Sequence, residues 1–196
     1  VAEPLVDKAL TLAPLFKFLD DNKIPHILFI NKMDQASHPV RDIMAALQGV
    51  SARPLVLRQV PIRVAGKDGD AVTGYVDVIS ERAYKYRPGQ ESDLIKMPEE
   101  VLPREQEART SLLERLADFD DHLMEELLSD AVPPKDEIYQ QLSKDLAEDL
   151  IVPVMLGAAD KDSGVHRLLK ALRHDLPGPE AAARRLGIEG NEPAAV

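Results

Sequence analysis

Phe29-Ile30-Asn31-Lys32-Met33-Asp34 is the stretch that decides the fold. Ile27-Leu28-Phe29-Ile30 is a continuous apolar run, the pattern of a strand buried on both faces of a parallel sheet. Asn-Lys-x-Asp begins where that run stops. Polar residues therefore stand just past a strand's carboxyl end, where open α/β sheets bind their ligands.

Reading outward, the spacing predicts a helix from Pro4 to Asn22, kinked or split at Pro14, and a strand from Ile24 to Ile30. A second helix is expected from Ser37 to Leu47, capped by Ser37, with Pro39 in its first turn and Gly49 as its stop. The character then changes. Val56–Val60, Ile62–Val64, Gly74–Ile79 and Glu81–Tyr86 read as short antiparallel strands, with Gly66-Lys67-Asp68-Gly69-Asp70 as a turn. Pro98 opens one long helical region to Ser129, whose leucine stripe includes Leu112, Leu116, Leu123, Met124 and Leu128. Lys135 to Leu146 is a further helix, Ile151 to Leu156 a second buried strand, and Gly164 to Leu176 a final amphipathic helix. From Pro177 onward no periodicity remains, as in a linker. The expected fold class is α/β, with parallel strands flanked by helices and an inserted α+β subdomain.

The residue types of the Asn-Lys-x-Asp loop carry a chemistry. An ionised Asp only accepts hydrogen bonds, through two oxygens. Guanine offers two adjacent donors on one edge, its ring N1–H and its exocyclic amine. Asp34 can accept both in a bidentate, charge-assisted pair. Adenine presents an acceptor in place of one donor, and a site built on such bonds rejects the wrong base strongly. Lys32 can lay its alkyl stem over the base plane, and Asn31 can hold the loop shut through its amide. Gly157-Ala158-Ala159, after the last strand, is a small-residue loop whose backbone N–H groups can approach a ligand closely. The two loops together would grip a guanine from both sides.

Composition sets bounds. Over 196 residues, 34 acidic side chains against 24 basic ones give a net charge of −10, which argues against direct nucleic-acid binding and suits a basic protein partner. With no Cys, disulfides, thiolate chemistry and zinc–cysteine sites are excluded. No apolar run approaches a membrane span, no secretory signal opens the chain, and a cytoplasmic location is expected. The chain starts at Val1 without Met and reads as part of something longer. His26, His38, His122, His166 and His174 show no ligand spacing, and Asp118, Asp120, Asp121 and His122 lack the glycine and spacing of a calcium loop. No catalytic or metal-binding residue is assigned.

The whole chain resembles the GTPase domain of translation elongation factor G and its paralogs. The resemblance runs from Val1 to about Pro179 in order of elements. Val1-Ala2-Glu3-Pro4 looks like the segment after the family's fourth strand, and Ile24-Pro25 through Asp34 is similar to its guanine motif. Ala52-Arg53-Pro54 and Leu57 to Ile62 resemble the entry to the inserted G′ subdomain, and Ala117 to Met124 a stretch inside it. Ile151 to Val165 resembles the last strand and its loop. The resemblance implies a partial P-loop GTPase domain divided as follows: residues 1–52, the second half of the G domain; 53–149, the inserted subdomain; 150–177, the final strand and helix; 178–196, a linker. It implies that Asn31, Lys32 and Asp34 bind guanine with Ala158 and Ala159, that Ala159 gives its N–H to the guanine carbonyl, and that GTP or GDP is the ligand. It also implies a ribosomal partner, with the stalk protein meeting the acidic face around Glu125 and Glu126. The family usually has Ser where Ala158 stands, and many small GTPases carry Lys where Asp160 stands, so a diverged paralog is expected.

Phosphate chemistry requires a Gly-rich loop ending Gly-Lys-Ser/Thr, and these residues contain none. Asp175-Leu-Pro-Gly178 fits the γ-phosphate-sensing pattern literally but follows the last helix. The chain alone is therefore expected not to hydrolyse GTP. The Mg²⁺ ligands would lie in the parent protein, and a strand edge left without its neighbour would weaken the isolated chain. Two readings stay open beside a translocase: a ribosome-protection or recycling paralog, and a non-catalytic protein-binding module.

Overall fold

The computed structural model describes residues 1–66 and 69–181, apart from the side chains at 66, 69 and 70. The expected turn tip at Lys67-Asp68 and residues 182–196 of the expected linker lie outside that range. A 3₁₀ segment, Val6–Leu12, leads into helix α1 (Ala13–Asp21). Pro14 thus opens α1 in its first turn, where a missing N–H leaves no intrahelical bond unmade. Strand β1 is Leu28–Ile30, shorter than its apolar run. Helix α2 spans Val40–Gln48. Pro39 stands at its N-cap with an extended backbone, and Ser37 bonds His38 instead of capping.

The apolar run expected as one strand, Val56–Val60, is divided. Strand β2 (Leu55–Leu57) belongs to a parallel sheet and β3 (Gln59–Gly66) to an antiparallel one. Arg58 is the joint. Its N–H donates to Val154 O at 2.9 Å and its carbonyl accepts from Val78 N at 3.0 Å, so one residue is hydrogen-bonded into both sheets. Strands β4 (Gly69–Asp77), β5 (Arg82–Arg87) and β6 (Gln90–Ile95) follow as a meander, order β3-β4-β5-β6. β6 is a polar edge strand that sequence periodicity does not reveal. Pro88-Gly89 turns the chain into it, with Gly89 at φ +64°.

Helix α3 (Leu102–Ala117) and helix α4 (Asp121–Leu128) replace the single long helix. Asp120 causes the break. Its backbone is extended and its carboxylate accepts from Leu123 N at 3.0 Å, an N-cap. The break also turns two residues of the expected stripe outward, leaving Met124 37% and Leu128 80% exposed. Helix α5 (Lys135–Ala147), strand β7 (Val152–Leu156) and helix α6 (Val165–His174) complete the order.

The parallel sheet runs β1-β7-β2, with β7 buried along its whole length. Ala2 bridges the far side of β1 in parallel, donating to Phe29 O and accepting from Asn31 N, both at 2.9 Å. One core packs Phe16, Ile30, Ile43, Leu47 and Val154 between this sheet, α1 and α2. A second core joins the antiparallel sheet to α3, α4 and α5 through Val76, Ile79, Leu116, Leu123, Ile138 and Leu142. On the other face of the parallel sheet, Phe29 and Met155 meet Ala171 of α6.

Candidate functional site

Neighbouring parallel strands carry their following loops to one end of a sheet. β1 and β7 are such neighbours, with Ile30 opposite Leu156. The loops 31–36 and 157–164 therefore lie side by side, and backbone bonds fix them together. Gly157 N donates to Ile30 O at 3.0 Å and Met33 N to Gly157 O at 2.9 Å. A Cβ on Gly157 would lie 2.4 Å from Ser163 O and 2.5 Å from the Phe29 ring, which no relaxed structure accommodates. Gly157→Ala is expected to cost about 1–3 kcal/mol of stability, as other over-packed sites do, and thermal unfolding would measure it. Gly164, at φ +81°, closes the second loop, and Ala158 and Ser163 bond each other across it in both directions.

The structure brings all five sequence-derived candidates, Asn31, Lys32, Asp34, Ala158 and Ala159, into these two loops. Asn31 Oδ1 accepts from Ala159 N at 2.8 Å. The amide thus clasps the loops, and the N–H expected to meet the guanine carbonyl is donated to Asn31. Lys32 adopts the left-handed conformation, φ 59°, and its ammonium reaches Glu3 Oε1 at 2.5 Å. The Lys32 hydrogen bond, with help from Lys8, holds the Glu3 carboxyl down at about 2, and Glu3 in turn pushes the Lys32 ammonium above its ordinary value. Met33 is buried and anchors the turn from below.

Asp34 is the polar centre of the pair of loops, its side chain only 14% exposed. Oδ2 pairs with Lys161 Nζ at 2.6 Å, while Oδ1 is enclosed without a hydrogen-bond partner. A carboxylate oxygen enclosed without a donor is a hydrogen-bond acceptor left unsatisfied. Sequence reading missed Lys161 and Glu3. A lysine one place after Asp160 was the available signal for the first; Glu3 carried none, because its role depends on Ala2 pairing with β1. Ala158, at 3% exposure, buries its methyl group and gives its backbone to the loop.

Among the described residues, one other convergence of ligand-type groups occurs: His122 Nε2 lies 3.9 Å from Glu126 Oε1 and 3.7 Å from Glu137 Oε1, on α4 and α5. No helix among the described residues is long and apolar enough to cross a membrane.

No family model matches the chain. It is 49% identical over 195 residues to an elongation factor G-like protein of Synechocystis sp., a match covering 98% of the chain and 29% of that relative. It is 36% identical over 160 residues to elongation factor G 2 of Desulfotalea psychrophila, covering 80% of the chain and 22% of the relative. A solved crystal structure from Thermus thermophilus superposes with a TM-score of 0.74 over 89% of the chain and 25% of that structure, at 22% identity, which speaks to fold alone. The chain thus spans less than a third of the length of each of these relatives.

Proposed function

We propose, from the premise that this chain is an elongation factor G-like segment with a G-domain-like fold and an inserted subdomain, that it carries the guanine-recognition half of a GTP site. One observation carries the reading: the unpartnered, enclosed Oδ1 of Asp34 beside a second loop that Asn31 clasps to it. Asp34 accepts the two guanine donors, with Lys161 moving off Oδ2 or remaining as a counter-charge behind it. The Lys32 stem covers the base, and Glu3 restrains its ammonium. The residues fit the base of GTP or GDP. Nothing in them is assigned to the phosphates or to Mg²⁺, and this chain alone is expected to release no phosphate from GTP.

Asp34→Asn tests the assignment in a longer protein that contains this chain and a phosphate-binding loop. An amide offers one donor and one acceptor. It therefore mismatches guanine and matches xanthine, which carries a carbonyl where guanine has its amine. GDP affinity is expected to fall roughly a hundredfold, the scale of a charge-assisted bond exchanged for a mismatch. Xanthosine diphosphate affinity is expected to rise, as titration calorimetry would show. Unaltered GDP binding by the variant would overturn the assignment.

The parent's work on the ribosome, in the cytoplasm, belongs to the same proposal. α4 supports a protein partner: Leu128 at 80% and Met124 at 37% exposure stand on the same helix as the exposed Glu125, and Val132 is 80% exposed just beyond it. Apolar and acidic groups together suit a partner with a basic, apolar face, and the ribosomal stalk protein is our assignment. Glu125→Lys with Glu126→Lys is expected to abolish that binding. Unchanged affinity at low salt, where the charge contribution is least screened, would remove the assignment.

A further inference from the structure

A cleft of about 610 Å³ opens between α2 and α3, floored by β2 and β3. Its volume is that of a site for one small molecule. Its apolar lining includes Met44 of α2, Val60 of β3 and Leu112 of α3, and Arg41, Arg63 and Arg104 line it too. Glu107 shares the α3 wall, so three guanidinium groups face one carboxylate.

That excess is unexpected in a chain of net charge −10. Acidic side chains outnumber basic ones here, so an arginine has carboxylates available. Arg41 has only a loose contact, 3.8 Å to Asp42. Among the described residues, Arg63 and Arg104 have no ion pair, and Nη2 of Arg63 is enclosed with no hydrogen-bond acceptor. An enclosed donor without an acceptor is destabilising, and a charged one more so. The planar guanidinium fork matches a carboxylate, phosphate or sulfonate, so an anionic head relieves it.

We propose that this cleft binds a small amphiphilic anion, with its apolar body against Met44, Val60 and Leu112 and its single head between Arg63 and Arg104. Glu107 disfavours a second negative charge along the body. One wall is a helix of the parallel-sheet layer and the other a helix of the insert. The occupant therefore braces these two parts of the fold against each other, at a place separate from the Asp34 loops.

Anilinonaphthalene sulfonate is the probe, with decanoate and its uncharged counterpart decanol as competitors, all on the intact chain. The expected result is saturable one-to-one fluorescence that decanoate removes and decanol does not. Arg63→Gln with Arg104→Gln is expected to weaken decanoate competition about tenfold or more, the scale of a charge-assisted bond, with an unchanged circular dichroism spectrum. A second variant, Arg104→Gln alone, changes only an exposed side chain and is expected to show a smaller loss in the same direction. Equal competition by decanol would overturn the proposal, since the head would then go unrecognised. So would undiminished decanoate binding by both variants, or the absence of saturable binding. Displacement by an acidic, apolar peptide but not by decanoate would also overturn it, in favour of a macromolecular occupant.

Discussion

Asp77→Ala is expected to lower the free energy of unfolding by about 3–5 kcal/mol, the cost of stranding a buried charge by removing its partner. Asp77 ends β4 and is 1% exposed. Its Oδ2 accepts from Arg167 Nη2 at 2.6 Å and Nε at 3.1 Å, and its Oδ1 from Ser80 N at 2.9 Å and Tyr139 Oη at 3.3 Å. Burial alone would raise this carboxyl, but the charges of Arg167 and Arg58 outweigh burial and hold it below the ordinary range. Without it, the Arg167 guanidinium keeps its place with only 16% of its side chain exposed. Arg58 loses a nearby counter-charge as well. It is 1% exposed, its one carboxylate bond goes to Asp175 at 2.9 Å, and its Nε and Nη2 already lack partners. Urea unfolding of Asp77→Ala, Arg167→Met and Asp77→Ala/Arg167→Met separates the pair's charge interaction from packing. The double variant is expected to recover part of the loss, because the Arg167 charge is no longer stranded, while Arg58, Ser80 N and Tyr139 Oη still lack Asp77. A loss below about 1 kcal/mol for Asp77→Ala would mean that Arg167 escapes to water and the pair is an ordinary surface contact. The position gives the result wider meaning. Arg167 lies on α6, directly after the loop that faces Asp34, so this pair ties the insert's sheet to the helix behind the candidate base site.

What the sequence made legible follows from which forces are local. Strands β1 and β7 were readable because a strand covered on both faces reads as a short, nearly continuous apolar run rich in β-branched residues, bounded by polar or small residues. The Asn31–Asp34 loop was readable because its chemistry lies in residue types at fixed spacing. Junctions were not. Arg58 interrupts an apolar run that looks continuous, and only the two sheets it joins explain a charged residue at 1% exposure. β6 was invisible for the opposite reason: as an edge strand with one wet face, Gln90–Ile95 needs little apolar surface, so its pairing with β5 leaves no periodic trace. The α3–α4 break was available in principle, since an Asp three residues before Leu123 is a cap signal. The helical stripe on either side masked it. In the candidate site the long-range partners were the hidden part. Lys161 reaches Asp34, and Glu3 reaches Lys32, across sequence distances that only the parallel sheet closes.

Asp145→Asn is expected to flatten much of the dependence of stability on pH between about pH 4 and pH 7, and to stabilise the protein above that range. Asp145 is fully buried on α5. Its Oδ1 accepts from Gln141 Nε2 at 2.8 Å and its Oδ2 has no partner. Burial pushes its carboxyl from an ordinary 3.8 up to about 7, against a partial counter-effect from Lys144. The direction of the linkage follows. In that window the folded chain holds a proton that the unfolded chain has released, so raising the pH draws the equilibrium toward unfolding. The stability conferred by the protonated form is complete below the unfolded value and is lost as the pH passes the folded one. A shift of this size corresponds to at most about 4 kcal/mol. Asn keeps the acceptor for Gln141 and stays neutral, so at low pH the two proteins should unfold alike, and near pH 8 the variant should be the more stable by about 2–4 kcal/mol. Glu105 and Asp149, also raised by burial, and Asp77, lowered by its arginines, bend the absolute curves. Their contributions cancel in the difference between wild type and variant, so that difference, followed by urea unfolding from acid to mild base, isolates one carboxyl. Parallel curves across the window would show Asp145 ionised in the folded protein, which would require water or a cation at its second oxygen.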